Sequence, residues 1–112
     1  MLKILPVILS IIFTQISISH AQKLENDEFL IKIVNHRFEP EIVEVPANKK
    51  IKIIVENNDK TIEEFESDDL KKEKLVGAGK KITIALNPLK PGEYKFYGDF
   101  HQATAKGKII AK

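Results

Sequence analysis

The residues of this sequence that could do chemistry are two histidines and a small set of acids, and metal binding is the chemistry that they suggest. The candidates are His36, Glu63, Glu64, Glu66, Asp99 and His101. Imidazole and carboxylate groups suit Cu(II), Zn(II) or iron, whereas Cu(I) prefers sulfur ligands. The chain contains no cysteine, and its one methionine is Met1. The same residue types are also common as exposed histidines, turn aspartates and acids that guard a strand edge, so both interpretations stay open at this point.

Residue patterns typical of enzymes are absent from the sequence. It has no glycine-rich phosphate loop, no CxxC and no HExxH. Ser67 lies among acids without a neighbouring histidine pattern. Glu63 and Glu66 could form an acid–base pair, but no feature indicates a substrate pocket. We therefore predict that the protein is not an enzyme.

The elements that must position these residues are indicated by an alternation of apolar and polar residues with a period of two. Ile51, Ile53 and Val55 fall on one side of their segment, and Lys52 and Glu56 fall on the other. Such β-branched and aromatic runs, separated by turn residues, predict an all-β fold, a single Greek-key β-sandwich of about seven to eight strands. The predicted strands cover residues 29–35, 41–45, 50–57, 63–67, 73–76, 81–86, 93–97 and 107–111.

Three of the acidic candidates lie on the predicted strand 63–67, where successive side chains point to opposite faces. If Phe65 faces the core, Glu63 lies on the same side, at the mouth of the sandwich. Glu64 and Glu66 then share the other face. The pattern does not decide which of these faces would bind an ion.

The first 21 residues have the pattern of an export signal. Lys3 supplies a positive start, and residues 4–18 form an apolar run shorter than the roughly 20 residues that span a bilayer. Ser19 and Ala21 place small residues at the positions that a signal peptidase reads, so we predict cleavage before Gln22. The alternative is a membrane anchor that stays attached. The predicted organisation is a signal peptide over 1–21, a flexible arm over 22–28 and one sandwich domain over 29–112.

The charge balance argues against a nucleic-acid partner. Removal of residues 1–21 takes away Lys3 and no acid, so the net charge falls from +2 to +1. Nucleic-acid binding needs a clustered basic surface, which this balance does not supply. Without cysteine the domain also has no disulfide to support it, so its core must be sufficient alone or with a bound metal.

Two segments of the chain resemble the cupredoxins. They are HRFEPEIVEVPANKKIKIIVENNDKTIEEFES and GEYKFYGDFHQATAKGKII, which together cover most of the predicted domain. The run FEPEIVEVPANKKI is similar to the start of many cupredoxin domains. The segments EEFES and GDFH are similar to those of EfeO-type cupredoxin-like domains, which belong to exported proteins associated with iron uptake and ferrous-iron permeases.

The resemblance implies a mononuclear site made by one histidine after the third strand and by a cysteine, a histidine and a methionine of the last hairpin. Gly98 stands at the cysteine position, His101 at the second histidine position, and the segment after it has no methionine. Glu63 or Glu64 falls near the first histidine position. Since blue copper requires a thiolate, we expect a non-blue site for a copper or iron ion that His101 anchors. The candidates to complete it are His36, Glu63, Glu64, Glu66 and Asp99.

The resemblance thus implies a periplasmic metal-binding protein that supports uptake of iron or copper. Its partner would be a membrane iron permease or another periplasmic uptake component. One alternative is an interaction module that keeps the scaffold without a metal. Another is a redox protein that oxidises ferrous iron at a non-blue copper, which the lack of cysteine and methionine disfavours. A monomer and a metal-bridged dimer are both compatible with the sequence.

Overall fold

Ten short strands and one 3₁₀ turn make up the fold in the computed structural model, which describes residue 3, residues 20–24 and residues 26–112. The strands are β1 (Gln22–Leu24), β2 (Glu28–Val34), β3 (Arg37–Glu39), β4 (Ile42–Val45), β5 (Ile51–Asn57), β6 (Glu63–Ser67), β7 (Lys72–Val76), β8 (Lys81–Leu86), β9 (Gly92–Gly98) and β10 (Lys106–Ala111). The 3₁₀ turn covers Asp99–His101 and follows β9 directly.

The strands form two five-stranded sheets. The first sheet has the order β1-β2-β5-β8, with β3 also paired to β2, and the second has the order β4-β10-β9-β6-β7. Both sheets are mixed, because β2 and β5 pair in parallel, as do β4 and β10, while their other ladders are antiparallel. The predicted all-β sandwich is confirmed, with ten strands in the described residues rather than seven to eight.

Strand alternation fills the space between the sheets. In β5, Ile51, Ile53 and Val55 are buried while Lys52 is exposed, as the period of two requires. The predicted strands at 63–67 and 73–76 are also confirmed, as β6 and β7.

Three phenylalanines from different strands meet in the core below the candidate site. Phe38 of β3 lies edge-on to Phe96 of β9, with ring centroids 5.0 Å apart, and Phe96 stacks on Phe65 of β6 at 5.1 Å. All three side chains are essentially buried. Because truncating a buried phenylalanine to alanine costs about 3–5 kcal/mol, this cluster fixes β3, β6 and β9, which lead to the candidate ligands.

The flexible arm predicted over 22–28 is instead partly a strand. β1 pairs antiparallel with the edge of β2, with Gln22 opposite Leu30. Polar residues favoured a loose arm in the prediction. An edge strand can nevertheless be polar, because main-chain hydrogen bonds hold it while its side chains stay in water. The turn between β1 and β2 is held as well, because Asp27 forms an ion pair with Lys49 at 3.0 Å. This hydrogen-bonded pair keeps the pKa of Asp27 below its usual value.

The predicted signal peptide, residues 1–21, falls almost entirely outside the described residues. Within residues 3, 20–24 and 26–112, no helix is long and apolar enough to cross a bilayer.

Candidate metal-binding site

Three segments that are distant in sequence meet at one end of the sandwich. They are the turn between β2 and β3, the start of β6, and the 3₁₀ turn after β9. His36 belongs to the first, Glu63 to the second and His101 to the third. The structure therefore brings together three of the six predicted ligands, from both sheets.

His36 occupies a tight turn that ordinarily favours glycine. Val34 pairs with Arg37, so Asn35 and His36 form a two-residue hairpin turn. Both residues have positive φ angles, 51° and 58°, as a type I′ turn requires. A side chain other than glycine or asparagine in this left-handed region is strained by about 1–2 kcal/mol. The turn points the half-exposed imidazole of His36 to the end of the sandwich.

Glu63 is the deeply buried acid of the site. Its side chain lies on the same side of β6 as Phe65 and is 2% exposed, so the predicted division of the strand's faces is confirmed. One carboxylate oxygen, Oε1, accepts the main-chain N–H groups of Glu64 and Phe100, both at 2.9 Å. The other, Oε2, lies 2.5 Å from Nδ1 of His101. Glu63 therefore ties the start of β6 to the 3₁₀ turn and orients the His101 ring.

The two imidazoles form a stacked pair. The ring centroids of His36 and His101 are 3.6 Å apart, with 12° between the ring planes. Each Nδ1 faces a carboxylate, Glu63 for His101 and Asp59 for His36, the latter at 3.4 Å. Neither Nε2 atom has a hydrogen-bond partner among the described residues, and the side chains of His36 and His101 are 41% and 28% exposed. With the ring hydrogens on Nδ1, the pair would present two Nε2 lone pairs that can be donated to a metal ion.

The position at which the cupredoxin resemblance expects the copper-binding cysteine has no room for a side chain. A Cβ atom on Gly98 would lie 2.7 Å from the carboxylate carbon of Glu63 and 2.7 Å from the Cβ atom of Ala105. Real Cβ atoms do not approach so closely, so the Glu63 carboxylate occupies the space of the missing thiolate. A blue-copper centre does not fit this chain, whereas the imidazoles and carboxylates present fit Cu(II), Zn(II) or iron.

The other three predicted ligands form a separate group on the outer face of the second sheet. Glu64, Glu66 and Asp99 each bring one carboxylate oxygen within 4.8 Å of the others. Among the described residues, no other group of three or more histidine or acidic side chains brings its ligand atoms this close together. It lies on the side of β6 opposite to Glu63. The predicted ligand set is therefore divided between two places, an inner histidine pair and an outer acidic group.

Partial burial and the crowding of acids affect the protonation of the outer group. Partial burial, then a hydrogen bond and repulsion from Glu73, with smaller effects of Glu66 and Asp99, raise the pKa of Glu64 to about 7. Glu66 and Glu73 lie directly opposite each other on β6 and β7, an arrangement that is destabilising for like charges. Burial first, and then the nearby acids, also raise the pKa of Tyr97 on this face.

Two residues of the inner site were missed by the sequence prediction. Asp59 is not among the six predicted ligands, yet its carboxylate accepts the N–H groups of Asn35 and His36. Thr104 donates its hydroxyl to the carbonyl oxygen of His36 at 2.6 Å. The motif Val-Asn-His-Arg-Phe could have indicated the two-residue turn itself, but not its contacts with Asp59 and Thr104.

Comparisons with known proteins agree with this fold. A family model described as the cupredoxin-like domain matches residues 7–111. An uncharacterized protein of Rickettsia prowazekii (strain Madrid E) is 56% identical over 88 residues, which cover 76% of this chain and 70% of that protein.

Solved structures of copper proteins share the same architecture. The metal-binding domain of the Cu(I)-exporting ATPase CopA of Streptococcus pneumoniae D39 superposes with a TM-score of 0.65 and 17% identity, covering 88% of this chain and 99% of that domain. Auracyanin A, a blue copper protein of Chloroflexus aurantiacus, gives a TM-score of 0.65 and 12% identity over 76% of this chain and 98% of its own. These low identities show the fold alone. Since the family model covers nearly all of the sequence, this chain belongs to the cupredoxin-like domain family.

Proposed function

We propose that this chain is an exported metal-binding protein whose histidine pair, His36 and His101, holds an exchangeable copper or iron ion at the end of the sandwich. The observation that carries the proposal is the pairing of each imidazole with a carboxylate through Nδ1. Histidine ligands of metals almost always donate their second ring N–H to a carboxylate, a carbonyl or water. That arrangement fixes the tautomer and leaves Nε2 as the ligand atom.

The donor set defines the kind of ion. Two imidazole nitrogens, with carboxylates behind them and no sulfur, favour Cu(II), Zn(II) or iron over Cu(I). Bound there, the ion would supply positive charge and open coordination positions to incoming ligands. Both ligand side chains are partly exposed, which supports loading and release rather than permanent burial.

The cellular role that we propose is support of iron or copper uptake in the periplasm, after cleavage of the leader before Gln22. It rests on the export-signal pattern and on the resemblance to EfeO-type domains. The partner would be a membrane iron permease or another periplasmic uptake component. Monomeric binding and a dimer bridged by the ion both agree with two partly exposed imidazoles.

Calorimetric titration with Cu(II), Zn(II) and Fe(III) tests the proposal. The protein is produced from its complete coding sequence, and its mass reports whether residues 1–21 have been removed. We expect submillimolar or tighter binding that is lost in His36→Ala and in His101→Ala. The matched control is Glu64→Gln with Glu66→Gln, which neutralises the outer acids and should leave binding at the pair unchanged.

Absence of heat with every ion would instead favour the interaction module, and a pull-down would then search for its membrane partner. A copper-loaded sample that cycles reversibly and turns over ferrous iron would favour the redox alternative. If the outer-acid control lost binding as completely as the two histidine variants, the ion would involve the outer face of β6.

A further inference from the structure

The backbone of His36 is held in its strained conformation by one carboxylate. Oδ1 of Asp59 accepts the N–H of Asn35 at 2.8 Å, and Oδ2 accepts the N–H of His36 at 2.9 Å. Two successive N–H groups of a turn with positive φ angles thus converge on a single side chain from another part of the chain. A strained residue persists only where its surroundings determine it strongly, and such residues cluster at functional sites.

The same carboxylate also faces the His36 ring. Oδ2 of Asp59 lies 3.4 Å from Nδ1, longer than a well-formed hydrogen bond but on the side of the ring where a carboxylate accepts N–H. A carboxylate in this place favours the neutral imidazole that carries its hydrogen on Nδ1. Nε2 then keeps its lone pair free.

Asp59 is itself fixed by a buried amide. Asn57 is fully buried, and its Oδ1 accepts the N–H of Asp59 at 3.0 Å. Its Nδ2 donates to the carbonyl oxygens of Thr61 at 2.8 Å and of Val76 at 3.0 Å. The amide is therefore satisfied by both neighbouring segments and locks the turn that carries Asp59.

The opposite side of His36 is held too, since the hydroxyl of Thr104 donates to its carbonyl oxygen. This bond ties the β2–β3 turn to the segment that follows His101. The backbone of His36 is thus restrained at its N–H by Asp59 and at its C=O by Thr104.

From these contacts we propose that Asp59 is the positioning residue of the metal site: it holds the strained turn and orients His36 so that Nε2 is the ligand atom. This inference rests on the proposed metal-binding function and adds a residue to it. Loss of such a supporting partner typically lowers metal affinity by about 10–100-fold.

The test is Asp59→Asn, compared with Asp68→Asn at an exposed aspartate of the β6–β7 loop. Asparagine is nearly isosteric, but its NH₂ group cannot accept a hydrogen bond, so the N–H of either Asn35 or His36 loses its acceptor. Nitrogen NMR of the metal-free protein, at alkaline pH where imidazole is neutral, reads the tautomer of each histidine. Calorimetry with Cu(II) reads the affinity.

We expect the wild type to show His36 with its hydrogen on Nδ1. Asp59→Asn should shift that tautomer, leave His101 as it was and weaken Cu(II) binding about 10–100-fold, while Asp68→Asn changes neither. Weaker binding with an unchanged His36 tautomer would mean that Asp59 affects the ion only through its charge. That result would overturn the proposal.

The NMR measurement separates this inference from the proposed function. If the wild type bound no ion, the metal-binding proposal would fail, yet the tautomer of His36 would still decide the role of Asp59. If Asp59→Asn failed to fold, the wild-type spectrum would suffice, because hydrogen on Nε2 of His36 would contradict the proposal.

Discussion

The carboxylate of Glu63 fills the space that a side chain on Gly98 would need, since a Cβ atom there would lie 2.7 Å from its carboxylate carbon. The two positions are thus complementary: the chain lacks the thiolate of blue copper and has a buried acid in its place. Glu63 in turn gains two main-chain N–H groups and the imidazole of His101. The relationship predicts how substitutions at either position will behave.

Restoring the cysteine should not restore blue copper. Gly98 has φ −93°, which any residue can adopt, so Gly98→Cys or Gly98→Ala is disfavoured by contacts alone. We expect about 1–3 kcal/mol of destabilisation from overpacking, measured by urea unfolding, and no strong visible absorption with Cu(II). In a Glu63→Ala background the penalty of Gly98→Ala should shrink. An equal penalty in both backgrounds would mean that Glu63 does not occupy this space.

Glu63→Gln should separate stability from metal binding. The glutamine oxygen can still accept the N–H groups of Glu64 and Phe100, so urea unfolding should change little. Its NH₂ group would donate to Nδ1 of His101, which moves the ring hydrogen to Nε2 and removes that lone pair from the site. We therefore expect a large loss of Cu(II) affinity by calorimetry.

The comparison variant is Glu63→Leu, which leaves those two buried N–H groups unpaired. Each unsatisfied group costs about 1–3 kcal/mol, so this variant should be clearly less stable than Glu63→Gln. Full Cu(II) affinity in Glu63→Gln would contradict the tautomer argument.

His36→Gly should relieve the strain of the turn while abolishing binding. Glycine adopts the left-handed conformation of His36 without strain, and the turn type favours it at this position. We expect the glycine variant to exceed His36→Ala in free energy of unfolding by about 1 kcal/mol, with Cu(II) binding lost in both. If alanine were as stable as glycine, the turn would carry no strain.

The outer acids should make stability depend on pH. The pKa of Glu64 is raised from 4.5 to about 7, so between these values the folded chain holds a proton that the unfolded chain has released. The contribution of Glu64 to the free energy of unfolding therefore falls as pH rises through this window. Glu64→Gln, which cannot ionise, should gain stability relative to the wild type from pH 4.5 to above 7.

Thermal unfolding in the presence of a chelator measures this difference. Glu73→Gln removes the neighbour that affects Glu64 most and should weaken the pH dependence. A constant difference between Glu64→Gln and the wild type across the window would refute the assignment.

The strand β6, which carries three of the candidate acids, was predictable because burial alternates strictly along it. The alternation around Phe65 was enough to place Glu63 inside and Glu64 and Glu66 outside. The strand β1 was not predictable from its residues, since a short polar edge strand depends on main-chain pairing that leaves no pattern in the sequence.

The separation of the candidate ligands into two groups could not be predicted from the sequence either. Asp99 and His101 are neighbours in one 3₁₀ turn, yet Asp99 joins the outer acids while His101 turns inward to Glu63. The role of Asp59 depends on a tertiary contact across 23 positions, between a turn and a carboxylate, which no local pattern encodes.

The stacked histidines have a consequence for the architecture of this cysteine-free domain. His36 follows a strand of the first sheet and His101 follows a strand of the second. An ion shared by the two rings would fasten one sheet to the other, as a disulfide does in many small exported domains. Unlike a disulfide, this link would be lost when the ion is transferred to another molecule. The metal-bound protein would resist unfolding and proteolysis, and release of the ion would remove the link between the sheets.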